Sequence, residues 1–494
     1  MTLLGLLAAG ARARAEDGYF SGTLGARAAG RAGAFVAKAD DITAVSVNPA
    51  GLAKLASLAN PNGTLVQLGN QLSHNAYAFT RAPTLDYGHL QNGQPPLVTF
   101  DRARNARPWQ ALDPFIGVAS NLGLKDWGFA LSAFAPPGVG RQSFPVSGGQ
   151  RYMMVDREAV ILTYAASVAW KHREDFGVGA TLEWIHVPRL KYSLVIDGSP
   201  FSMAANPVSS DLDMLATNQG SSLFTFNAVL GAWYRPTPSW ELALSGQVIP
   251  TDIVIHSKLS VSAINADLGA VTLTRNDVPA NDVTLTLPLP MRARAGGRYR
   301  HLVANREVFD VELDVEYATW SRAQSFVVDT RGLNANFSGP NIGPQVLPLG
   351  RIVIDKHWSN TLAFRLGGDY AAVPGRLTLR AGAAYETAVA PAAYSNVDFP
   401  GGSQVTGSVG TSFFFGRWEL ALAYFLRVQP SVQLAEADAR VYQTVPGSQC
   451  VPPYADTQRC SPYYLGQPAP AVNAGTYVAS SHVVLVDVLY RFGL

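Results

Sequence analysis

Two neighbouring segments carry most of the patterned charge in this chain. In MRARAGGRYR, residues 291–300, Arg292, Arg294, Arg298 and Arg300 share one parity. In FDVELDVEY, residues 309–317, Asp310, Glu312, Asp314 and Glu316 alternate with Val311, Leu313, Val315 and Tyr317. Residues two apart on a β-strand point to the same side, so each segment would form a ladder of like charge on one face. With a tight turn over His301 to Arg306, the strands pair antiparallel and set Arg298 near Asp310, Arg294 near Asp314 and Arg292 near Glu316. The chemistry this offers is mutual neutralisation in an enclosed place rather than catalysis. A search for a nucleophile with a partnered base finds none. His74, His89, His172, His186, His256, His301, His357 and His482 stand singly, and GxSxG, HExxH and a Gly-rich phosphate loop are absent. The sequence calls for no catalytic residue, no cofactor and no metal.

The elements that must position these ladders follow from composition and periodicity. A net charge of +2 with 15% charged residues lacks the basic surplus of a nucleic-acid binder, so the partner is neither DNA nor RNA. No charge-free apolar run reaches the roughly 18 residues of a spanning helix, so any membrane span must be made of strands. From Gly63 onward, alternating segments are separated in turn by short polar breaks and long Pro/Gly/Asn-rich ones. The short breaks are Leu124 to Asp126, Lys171 to Asp175, Arg235 to Ser239, His301 to Arg306, Val373 to Arg376 and Gly416-Arg417. The long ones run about 83–113, 136–154, 197–220, 262–282, 330–346, 388–404 and 434–477. Six short turns and seven long loops divide the chain into fourteen strands, an even number, as closure of an antiparallel transmembrane β-barrel requires. The fold class is therefore all-β. A charge facing hydrocarbon costs about 2 to 4 kcal/mol for Arg or Lys, which puts both ladders in the lumen.

The last strand, Ser480 to Leu494, places Val484, Val486, Val488, Tyr490, Phe492 and Leu494 on one face and Asp487 and Arg491 on the other. This is a lipid face ending in interfacial aromatics. At the other end, residues 1–15 have an apolar core from Leu3 to Ala11 and an A-x-A cleavage pattern at Ala13-Arg14-Ala15, which reads as an export signal. No Lys or Arg precedes that core, so the signal is expected to be incomplete at its start. Cys450 and Cys460 lie in a Pro/Tyr/Gln-rich segment and fit neither a zinc knuckle nor a CxxC pair. A loop disulfide and two unpaired thiols both fit.

Behind the signal comes a Gly/Ala-rich stretch that is neither strand nor long helix. Gly25, Gly30 and Gly33 break a helix, Asp40-Asp41 reads as a turn or helix N-cap, and Asn48-Pro49 fixes another turn before Ala50, Gly51 and a short apolar run. A loop-rich subdomain of a soluble enzyme could contain such residues. The stretches GARAAGRAGAFVAKADD, from Gly25 to Asp41, and NPAGL, from Asn48 to Leu52, resemble the N-terminal hatch of the outer-membrane long-chain fatty acid and hydrophobic-compound transporters of the FadL/TodX (OMPP1) type. The resemblance implies residues 16–60 as a hatch plugging a fourteen-stranded barrel, residues 61–494, in the bacterial outer membrane. It implies passive transport of a hydrophobic small molecule, a fatty acid or aromatic hydrocarbon, by a monomer lying among outer-membrane lipid and lipopolysaccharide. Tyr490, Phe492 and Leu494 then resemble the signal read by the barrel-assembly machinery, with Leu494 in place of the usual terminal Phe. It also implies lateral exit through a gap in the third strand, Trp127 to Ala135, where Gly128 and the prolines after Ala135 are the candidates for a kink. Trp109, Phe115 and the segment from Phe134 to Phe144 are suited to apolar cargo, although Pro136-Pro137 can equally begin an outer loop. The rival readings are a general or polar-solute porin and a structural or adhesive outer-membrane protein.

Overall fold

A computed structural model describes residues 23–58, 63–86, 91–136, 140–197, 213–264, 269–339, 342–399, 401–442 and 471–492. The expected signal, Cys450, Cys460, Pro137 and Leu494 lie outside these. Fourteen antiparallel strands close into a barrel. They are β1 (Thr64–Arg81), β2 (Phe115–Ser120), β3 (Trp127–Phe134), β4 (Asp156–His172), β5 (Phe176–Asp197) and β6 (Asp213–Thr237). Four strands made of two pieces follow: β7 (Trp240–Gln247 and Asp252–Ala263), β8 (Asp282–Pro288 and Arg292–Val303), β9 (Arg306–Ala318 and Ser325–Asp329) and β10 (Ile352–Asp355 and Thr361–Val373). The last are β11 (Leu377–Glu386), β12 (Gln404–Phe415), β13 (Trp418–Leu434) and β14 (Gly475–Phe492). β14 closes on β1 in unbroken register from Thr64↔Phe492 to Arg81↔Gly475.

The six short breaks are the turns at one end of the barrel. At Ala304-Asn305 both residues are left-handed, with φ of 49° and 60°, as a two-residue hairpin matched to strand twist requires. The long connections gather at the other end. β6 begins at Asp213, inside the stretch expected to be loop, and residues 270–275, 278–279, 334–339 and 342–348 form a separate four-stranded sheet there.

Parity decides which face each side chain takes. Val311, Leu313 and Tyr317 of β9 are exposed on the outer wall, whereas Asp310, Glu312, Asp314 and Glu316 are buried within. Outer-wall aromatics collect in two rings. One, by the short turns, holds Trp127 with Phe129, Trp240 with Tyr299, and Trp418 with Tyr490. The other holds His74 with Trp109, Tyr164 with Trp184, and Trp184 with Phe224. Phe176 and Trp184 are eight residues apart on β5, roughly 20 Å of membrane thickness at 3.3 Å per residue and a tilt near 40°. Between the rings the wall meets hydrocarbon, with the amphipathic rings at its two borders.

Candidate functional site

Residues 23–58 fill the lumen at the short-turn end with three short helices, α1 (Ala26–Ala29), α2 (Ala44–Val47) and α3 (Leu52–Leu58), and a 3-10 turn at Pro49–Gly51. Much of the hatch lies in the turns between these short helices, where backbone N–H groups lack regular partners, and the barrel wall supplies acceptors. The N–H groups of Phe35 and Val36 donate to Asp314 Oδ2 at 2.7 and 2.9 Å, and that of Ala37 to Glu312 Oε1 at 2.6 Å. Ala26 N–H donates to Asp487 of β14 at 2.7 Å, and Ile42 N–H to Gln67 of β1 at 3.1 Å. Arg31, fully buried, reaches Asp310 and Asp369 at 2.6 Å and Glu312 at 2.9 Å, while Lys38 reaches Asp310 at 2.8 Å. The acidic ladder thus holds the hatch as well as balancing the arginines of β8.

The arginines are set differently from expectation. Arg294 stands opposite Glu316, Gly296 opposite Asp314 and Arg298 opposite Glu312, two residues away from the expected register. The two-residue turn pairs Leu302 with Glu307. Continued unchanged, it would put arginines opposite valines. Val308 is the extra residue between Leu302↔Glu307 and His301↔Phe309, and this bulge restores the parity. Arg298 still reaches Asp310 at 2.8 Å, along with Glu307, and Glu241 of β7 at 3.1 Å. Arg292 lies 4.0 Å from Glu316, whereas Arg294 pairs with Glu316 and donates to the hatch carbonyl of Ser46 at 3.0 Å. Asp314 receives hatch amides in place of the expected Arg294.

The other hatch residues have distinct places. Asn48 accepts from Ala50 N–H at 3.2 Å and donates to the carbonyls of Val36 at 2.9 Å and Ala232 of β6 at 3.2 Å, and the Trp233 indole donates to Ala50 O at 3.0 Å. Asp41 accepts from the N–H and hydroxyl of Thr43, a local turn bond; α2 has no side-chain cap. Asp40 is 2.8 Å from Arg27. Burial pushes the Asp40 carboxyl up, but Arg27 and then Lys38 outweigh it and hold it below the usual carboxylate range. Gly25 and Gly33 have φ of 82° and 84°, in the left-handed region; Gly30 instead packs against Gly410 of β12, and Gly51 against Ala39.

A seat for the hatch was missed by sequence reasoning. Gly128, Gly179, Gly231, Gly367, Gly382 and Gly410 face the lumen, and a Cβ on any of them would press into hatch atoms. At Gly179 it would stand 2.5 Å from Ala50 N, and at Gly410 2.9 Å from Gly30 Cα. Gly in a strand interior weakens it unless another backbone comes close, so glycines at lumen parity on successive strands were the available signal. Gly128 therefore belongs to the seat, beneath Leu52 of α3, rather than to a kink.

Beyond the hatch, toward the long loops, two cavities follow one another along β4. The lower, about 1030 Å³, lies between hatch residues such as Leu24 and Val36 and the wall residues Phe134, Thr163, Glu183 and Arg294. The upper, about 830 Å³, is almost wholly apolar, lined by Ile161, Leu190, Leu194, Leu285, Phe326 and Phe399 among others, with Arg157, Tyr192 and Asn218 as its polar members. The expected ligand segment is split between places: Phe134 lines the lower cavity, whereas Phe144 is buried with Phe79, Tyr152 and Met153 beneath the outer loops. Trp109 sits on the outer wall and Phe115 packs by the hatch, neither at the upper cavity. The β3–β4 ladder stops at Phe134↔Thr163 and resumes at Arg141↔Glu158, so Val160, Ile161 and Leu162 have no registered partner on that side among the described residues. Tyr490 and Phe492 contact one another in the ring by the short turns, their centroids 4.5 Å apart.

A fourteen-stranded barrel with outer aromatic rings, closed by its own N-terminal segment under an apolar cavity, defines a plugged transmembrane transport barrel. Residues 8–449 match the family described as outer membrane protein transport protein (OMPP1/FadL/TodX), and the chain belongs to that family. Its fold is similar to that of a Pseudomonas aeruginosa FadL homologue, at 16% identity and a TM-score of 0.69, with 96% of this chain and 99% of that one covered. It is also similar to the CymD monoaromatic hydrocarbon channel, at 14% identity and a TM-score of 0.57, covering 95% and 98%. The toluene transporter TodX of P. putida aligns at 14% identity and a TM-score of 0.54, covering 92% and 94%. No curated protein matches the sequence.

Proposed function

We propose that this outer-membrane protein admits hydrophobic small molecules, fatty acids or aromatic hydrocarbons, by passive transport. The observation that carries the proposal is the upper cavity: almost wholly apolar in its lining, and separated from the short-turn end by the hatch. Cargo captured among the outer loops enters it, passes to the lower cavity, and leaves laterally into the membrane beside Val160, Ile161 and Leu162, which lack a β3-side partner among the described residues. The channel's other end stays shut, which spares apolar cargo a return to water. The division into signal (1–15), hatch (16–60) and barrel (61–494), a monomeric state, a lipopolysaccharide surround and recognition of the last strand by the assembly machinery belong to the same proposal. An open general porin is disfavoured by a lumen filled with hatch residues.

Ala216, buried at the upper cavity, offers the test. Ala216→Trp should fill the cavity and reduce uptake of a radiolabelled apolar compound by cells lacking other uptake routes, with the heat-modifiable folded form retained. Undiminished uptake by folded variant protein sinks the proposal.

A further inference from the structure

Two cations lie by the upper cavity, Arg157 in its lining and Lys356 behind its Phe326 and Phe399 rings. Lys356, in the break of β10, is fully buried, its Nζ 5.0 Å from the Phe326 ring centre and 5.9 Å from that of Phe399. Arg157 of β4 lines the cavity with its guanidinium 4.2 Å from the Phe399 ring centre. A pair of cations beside an apolar cavity is what a fatty-acid headgroup would seek, but the chain has put its own carboxylate there. Asp398, from the loop between β11 and β12, is fully buried and accepts from Lys356 Nζ at 2.5 Å and from the Tyr192 hydroxyl at 3.1 Å on Oδ2, and from Phe399 N–H at 2.7 Å on Oδ1. Arg157 donates to the Asp398 carbonyl at 2.9 Å.

We propose that Asp398 is a specificity-determining residue, an internal counter-ion that narrows the cargo of the upper cavity to uncharged apolar molecules, favouring hydrocarbons over ionised fatty acids. The inference rests on that cavity being the cargo site. A carboxylate ligand that pairs with Lys356 would have to displace Asp398 and leave a buried carboxylate without its partner, which is strongly unfavourable. Asp398 is tethered to the same fold and acts at the effective concentration of an intramolecular partner, whereas a sparingly soluble ligand arrives from dilute solution. Uncharged cargo displaces nothing and gains from apolar contact alone. The Phe326 and Phe399 rings lie against Lys356 and complete an apolar lining facing the cargo.

The test compares palmitate with methyl palmitate, which differ in charge but scarcely in apolar surface, by equilibrium binding to the purified full-length protein in detergent. Wild-type protein should favour the ester. Asp398→Asn should raise the palmitate-to-ester affinity ratio on the order of tenfold, the contribution of one charge-assisted hydrogen bond. Lys356→Gln should lower the same ratio, because it keeps the carboxylate and removes its partner. A purely structural role would weaken both ligands together in both variants, so opposite movement of the ratio is the expected signature. An unmoved or lowered ratio in Asp398→Asn overturns the inference. Ala216→Trp separates the two readings: if it leaves ester binding intact the cavity assignment fails, and if it abolishes ester binding while Asp398→Asn does nothing, only the counter-ion role fails.

Discussion

Arg31 is the side chain on which the seating of the hatch most depends. It is fully buried, its guanidinium reaches Asp310, Asp369 and Glu312 within 2.9 Å, and its Nε–H donates to Ala34 O at 2.7 Å. Arg31→Met keeps an unbranched apolar stem but removes the guanidinium, and leaves these carboxylates to the remaining cations around them, Lys38, Arg298 and Arg380. Removing one partner of a buried ion pair costs about 3 to 5 kcal/mol. None of that loss falls on the barrel's backbone ladders, which do not use Arg31. It therefore acts on the equilibrium between seated and unseated hatch, raising the unseated share by a factor of roughly 100 to 4000 at 1.4 kcal/mol per tenfold. In planar bilayers the wild-type protein should conduct rarely and the variant should show frequent open steps, with heat-modifiable migration unchanged. Arg31→Lys should fall between, since a point-charge ammonium cannot fork to several carboxylates at once. A folded Arg31→Met barrel as silent as wild type would refute the reasoning, as would a barrel that unfolds whenever Arg31 is lost.

Four further outcomes are expected. A double-mutant cycle in detergent should give a coupling of about 0.5 to 3 kcal/mol for Arg294 with Glu316 and a smaller one for Arg294 with Asp314; the reverse order would contradict the bulged register. Gly231→Val should press its methyls against Asn48 and destabilise the seated hatch by about 1 to 3 kcal/mol, seen as faster protease cleavage within residues 23–58 of a folded barrel, and equal cleavage rates would dismiss the glycine seat. The Asp40 carboxyl is depressed in the folded state, so its tie to Arg27 is fully present above the unfolded pKa of about 3.9 and is lost as pH falls below it toward the folded value. Asp40→Asn should accordingly loosen the hatch by the same amount from pH 7 down to roughly pH 5, with the difference from wild type fading only in stronger acid; a difference already gone at pH 6 would contradict the assignment. Cys450 and Cys460 are expected to be joined in the exported protein, and labelling of both thiols on intact cells without reductant would show that they are not.

Strand number, turn positions and the inward direction of both ladders were legible in the sequence, because period-two alternation and short polar breaks are local properties. The partner of each charge was not. Parity assigns a face, but the single bulged residue Val308 sets the register, and nothing in its side chain announces a bulge. Asp314 and Glu312 looked like the other half of an arginine ladder, yet they receive amides from Phe35, Val36 and Ala37, more than 270 residues away in sequence. The upper cavity was invisible for a similar reason: its apolar lining is contributed by strands from β4 to β10 and by the β11–β12 loop, one to three residues at a time.

The hatch touches both sides of the closing seam. Ala26 is bonded to Asp487 of β14, Ile42 to Gln67 of β1, and Gln67 to Asp487 at 3.1 Å. The first segment of the chain thus finds a complete binding surface only when the last strand has arrived beside the first. Barrel closure and hatch docking become one long-range event, with the slow search expected of contacts so distant in sequence. A chain truncated before β14 would lose the anchor of Ala26 along with the seam, leaving neither a sealed wall nor a seated plug.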